Sequence, residues 1–180
     1  MIAKNEADRK AAGDPPGRYF IDVFALNQVA INNQSANMHQ VFVGQLVRDL
    51  RDTLIACNSM VLCCSEGPSG LPGWVKAATL DRIWCLFECY VALDMKLGVQ
   101  LQFCDHDELA FRAALSKGGL ARVDEVLKGI DAAQATATRR TDLEMILIEI
   151  EGSMGLDAFN QLIREGILEQ YRSLARKGLR

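Results

Sequence analysis

The chain has 180 residues, 49% hydrophobic and 24% charged, and a formal net charge of -3. That size and balance suit one globular domain with a sizeable core and exclude disorder over the whole length. The slight acidic excess gives no electrostatic case for nucleic acid or an anionic membrane as the main partner.

Residues 1–18 are polar and carry Pro15-Pro16-Gly17. They read as a disordered leader or linker, and they lack the apolar middle of a signal peptide. No apolar run approaches the roughly 20 residues that span a bilayer. No membrane is expected, and a cytoplasmic location is the default.

Tyr19 to Leu26 is a near-continuous run of β-formers interrupted by Asp22. It predicts a strand covered on both faces, as in a parallel sheet. The polar stretch Asn27 to Gln40 reads as a loop. Val41 to Ala56 predicts an amphipathic helix, with Val43, Leu46, Val47, Leu50 and Leu54 on one stripe. Met60 to Ser65 predicts a second buried strand. Glu66 to Gly73 holds two prolines and three glycines and reads as the loop at that strand's C-terminal end.

Leu80 to Leu97 predicts a helix that is apolar nearly all round, stopped by Gly98. Val99 to Cys104 alternates and predicts a half-covered strand. Asp105 with Glu108 signals a helix over 108–115. Beyond Gly118-Gly119 only helices are predicted. One covers Leu120 to Ala133, with Val123, Val126, Leu127 and Ile130 on a face. A second opens at a capping box, Thr141 to Glu144. A third spans Asp157 to Lys177 and carries Phe159, Leu162, Ile163, Ile167, Tyr171 and Leu174.

Strands alternating with helices imply a parallel sheet with crossover helices in three layers. The expected division is a leader over 1–18, an α/β domain over 19–118, and a helical extension over 119–180. That extension either packs on the domain or forms a small bundle of its own.

The six cysteines are placed against a disulfide framework: Cys63 and Cys64 are adjacent, and Cys85 and Cys89 lie one helical turn apart. They read as buried, reduced thiols. No C-x-x-C pair occurs and only His39 and His106 add imidazole, so no metal site is expected. Gly67, Gly70 and Gly73 make no phosphate loop, because no G-K-[ST] follows.

Two motifs carry a family resemblance. Ile21-Asp22 with Asn27-Gln28 has the form I-D-x-x-x-x-N-Q, which resembles the strand-and-loop signature of heterokaryon-incompatibility (HET) domains. Ser65, a loop, and then Trp84-Cys85-Leu86-Phe87-Glu88 is similar to the S…W-C-x-x-E segment of the related Toll/interleukin receptor (TIR) domains. The resemblance implies a flavodoxin-like fold of at least three strands and signalling through self-association or docking to protein partners. In the TIR families that cleave NAD, the glutamate of that motif is catalytic. Carried over, Glu88 would stabilise the oxocarbenium-like charge as nicotinamide leaves, or orient the ribose. NAD would then be a substrate, and no resident cofactor is implied. Residues 1–18 hold no counterpart of the family's first strand and helix, so the expectation is an N-terminally truncated version of such a domain. That ranks the docking module first, the NAD nucleosidase using Glu88 second, and a structural domain of a larger protein third.

Each candidate has a plainer reading beside it. Glu88 sits among Trp84, Phe87, Val91 and Met95, where a carboxylate needs a partner such as Arg82. Asp22 is either a ligand group at the sheet's C-terminal edge or a hydrogen-bonding partner of the following loop. Asn27 and Gln28 either touch a ligand or form that loop. Ser65 falls at the end of its strand, beside the same edge. Trp74 and Trp84 either stack on a ring or anchor the core. His106, between Asp105 and Asp107, reads as a surface helix cap.

Overall fold

The computed structural model describes residues 36–65 and 70–178, with residues 7, 10, 11 and 13 ahead of them. The expected strand at Tyr19 to Leu26 lies outside the described residues, as do Asp22, Asn27 and Gln28. The chain divides into two compact units, Met1–Asn58 and Ser59–Arg180.

In the first unit, helix α1 spans Ala36–Cys57. It begins within the stretch read as a loop. Ala36, Met38 and Gln40 are good helix formers, whatever the polarity of the stretch. Gln45 donates to Asp49 at 2.7 Å, and Arg48 donates to Gln45 at 2.9 Å, both along the exposed side. The helix ends at Asn58, whose φ of 56° is one that asparagine tolerates better than most residues.

The second unit holds a two-stranded parallel sheet, β1 at Ser59–Cys64 and β2 at Gly98–Phe103. They run in register from Ser59 opposite Gly98 to Cys64 opposite Phe103. Parallel neighbours need a crossover, and helix α2, Ile83–Asp94, supplies it and packs on both strands. Leu62, Cys64, Val99, Leu101 and Phe103 are buried on one face, while Gln100 on the other is exposed. The expected alternation of β2 holds from Gly98 to Leu101 and then fails, because Gln102 on the second face is buried as well.

Four helices follow: α3 at Asp105–Gly118, α4 at Ala121–Lys128, α5 at Arg140–Ser153 and α6 at Leu156–Gly178. Helix α6 is the keystone of the packing. Phe159, Ile163, Ile167 and Tyr171 repeat every four residues and are all fully buried. They lay α6 along α2 and β2, and α4 and α5 pack against it as well. Gly166 permits the close approach to α2, since a Cβ there would stand 2.5 Å from Leu93 Cδ1. The ring of Tyr171 meets Phe103 at 5.9 Å and Phe111 at 5.4 Å, and its hydroxyl donates to the Trp74 carbonyl at 2.7 Å. The helices beyond Gly118 therefore share one core with the sheet.

Several boundaries differ from those read in the sequence. Helix α2 starts at Ile83, after a 3-10 turn at Ala78–Asp81, and stops at Asp94. The stop is made by Lys96 at φ 58°, with the Leu97 N–H on the Ala92 carbonyl at 2.8 Å; Gly98 opens β2 instead. This is a Schellman-type end with lysine where glycine is usual. Helix α3 opens at Asp105 with Cys104 as its N-cap, so all of Asp105, Asp107 and Glu108 fall in its first turn and complement the helix dipole. Helix α4 ends at Lys128; Ile130 is buried but lies past Gly129, outside the helix. The capping box at Thr141 is not formed. Helix α5 starts at Arg140, whose Nε donates to Glu144 at 2.8 Å.

Removing the Tyr171 hydroxyl leaves a buried carbonyl without its donor at unchanged ring packing. Tyr171→Phe is expected to lower stability by about 1–2 kcal/mol, read as a shift of the urea midpoint with no change in slope.

Candidate functional site

The candidate site lies where β1 and β2 end and α2 begins. Ser65 follows β1 and is exposed. The chain then returns over the strand end. At Gly73 a Cβ would stand 2.7 Å from the Ser65 carbonyl carbon and 2.8 Å from Asp107 Oδ2. Only glycine fits that approach, and it seats the loop directly on β1 and the first turn of α3. Thr79 then donates its hydroxyl to the Cys63 carbonyl at 3.2 Å.

Trp74, next to Gly73, is 4% exposed. Its ring lies 5.7 Å from Phe111, and the Arg122 guanidinium stands 6.0 Å from the ring centroid. Its backbone carbonyl accepts from Tyr171, while its indole N–H is buried with no partner among the described residues. Trp74 is thus a core anchor, with no broad ring face open to a base.

The start of α2 is held by a segment far along the chain. Thr136 accepts from the Ile83 N–H at 2.9 Å, and its own N–H donates to the Asp81 carbonyl at 2.8 Å. This short parallel bridge pairs Arg82 with Thr136. It occupies one of the donors that a helix start leaves unsatisfied, in place of a side-chain cap. The bridging segment is pinned in turn to α6: Asn160 Oδ1 accepts from the Ala132 N–H at 2.9 Å, and Arg164 places Nε and a terminal nitrogen on the Ile130 carbonyl at 3.1 and 2.6 Å.

Trp84 and Glu88 lie four residues apart in α2, on one side of it, and both are half-buried. The Trp84 indole N–H donates to Asp142 Oδ2 at 3.2 Å, which locks the ring against the first turn of α5. Glu88 is engaged with a neighbouring group rather than free. The next residue, Cys89, is fully buried, as is Cys64. Burial pushes both thiols up to about 12, and the charge of Glu88 adds to the rise at Cys89. Such thiols are inert rather than nucleophilic. All six cysteines are free, but the expected burial holds for Cys64 and Cys89 alone: Cys63, Cys85 and Cys104 are half-buried and Cys57 is exposed.

The structure therefore brings Ser65 and Trp74 together at the end of β1, and Trp84 and Glu88 together on α2. The other three candidates, Asp22, Asn27 and Gln28, lie outside the described residues. Sequence reasoning missed Asp107, which is 1% exposed and accepts from Cys104 Sγ at 3.3 Å. Nothing in its position between His106 and Glu108 signals burial, and the neighbouring His106 imidazole is exposed. Asp142 and Thr136 were missed because their partners lie more than 50 residues away. No group of residues suited to a metal ion occurs among the described residues, and no described helix is long and apolar enough to cross a membrane. Comparison with protein-family models, curated proteins and solved structures finds no match for the chain.

Two outcomes follow from this geometry. Gly73→Ala forces a methyl group into the Ser65 backbone and is expected to cost about 1–3 kcal/mol, measured by chemical denaturation. The thiols give a pH signature. Below pH 9 they are protonated in both states and stability is indifferent to them. From the ordinary value of 9.0 upward the unfolded chain releases those protons and the fold does not. Stability then falls as pH rises, by up to about 1.4 kcal/mol per pH unit for each thiol. Tyr171, also raised by burial, joins above its ordinary value of 10.0. Cys89→Ala should flatten the slope between pH 9 and 10 in urea titrations.

Proposed function

We propose that the chain is a TIR/HET-like signalling or scaffolding module of the cytoplasm, acting by docking to a second copy or to a protein partner. The fold reading behind it is a flavodoxin-like parallel sheet of at least three strands. The observation that carries the reading is the closed carboxyl edge of β1. Open α/β sheets bind ligands outside the carboxyl ends of their strands. Here Gly73 sits on Ser65, Thr79 takes the Cys63 carbonyl, and Trp74 is packed beneath. These contacts put the chain's own backbone against the carboxyl end of β1.

Docking requires surface, and two large aliphatic side chains stand out in the second unit: Leu109 at 69% exposure and Ile148 at 71%. Burying either against a partner would be favourable by about 1.5–3 kcal/mol. The expected result is concentration-dependent association in light scattering, weakened by Leu109→Glu or Ile148→Glu. A strict monomer at high concentration, with no partner captured, would count against the module.

A second reading, the NAD nucleosidase, draws on one observation. Glu88 and Trp84 share a half-buried side of α2, and the indole is already oriented by Asp142. A carboxylate beside a fixed aromatic ring suits an oxocarbenium-like transition state. That reading expects nicotinamide release from NAD, lost in Glu88→Ala while the fold is retained. No turnover by the wild-type chain would end it.

A further inference from the structure

We draw no further inference here: the strongest candidate, the buried indole N–H of Trp74 at the carboxyl edge of the sheet, unpartnered among the described residues, belongs to the site already described, and nothing in the structure shows what that N–H faces.

Discussion

The second unit depends on one contact, the seating of Tyr171 beneath the loop that closes β1. Its hydroxyl reaches the Trp74 carbonyl across 97 positions of chain. Its ring completes a cluster with Phe103 and Phe111, and Trp74 joins that cluster through Phe111. A two-stranded sheet with one crossover helix buries too little apolar surface to be stable alone. The long final helix supplies the missing surface. It also supplies Asn160 and Arg164, which fasten the segment that bridges to the start of α2. The same helix thus fixes both the loop over the strand ends and the helix that carries Glu88.

That dependence explains which parts of the fold were legible in the sequence. Elements with a strong period were read correctly in kind: the alternating β2, the apolar β1, and the four-residue stripe of α6. Their ends also fall within one residue of those read, whereas the ends of α2 and α5 do not, because those are set by single backbone events. Lysine at 96 takes the left-handed conformation that a reader assigns to glycine, so the stop of α2 moved from Gly98. Thr141 and Glu144 have the spacing of a capping box, yet the helix begins before them. Arg140 takes Glu144, and Asp142 is drawn to Trp84. Long-range partners override local propensity at such places.

The candidate site was legible to the same degree. Trp84 and Glu88 fall four residues apart in an apolar run, so their shared side of a helix could be read directly. The company they keep could not. Nothing in the order of residues announces that Thr136 would bridge to Arg82 or that Asp142 would receive the indole N–H. Nor does a glycine in a proline-rich loop reveal whether it marks a flexible turn or a close approach. Gly73 is the second case, and the difference decides whether the strand ends are open or covered.

The electrostatics around Glu88 bear on its role. A carboxylate kept for chemistry gains from a site that excludes water yet leaves it facing the substrate. Glu88 meets part of that description: it is half-buried, beside an oriented indole, one residue from a fully buried thiol. Its negative charge is felt by Cys89, whose proton is held more tightly for it. At the end of β1 the chain's own backbone is in close contact with itself, Gly73 against Ser65. The start of the helix that carries Glu88 is pinned by the bridge to Thr136 whatever that carboxylate does. The physical demand on Trp84 and Asp142 is therefore structural first. Any chemistry at Glu88 would be built on a helix already anchored for other reasons.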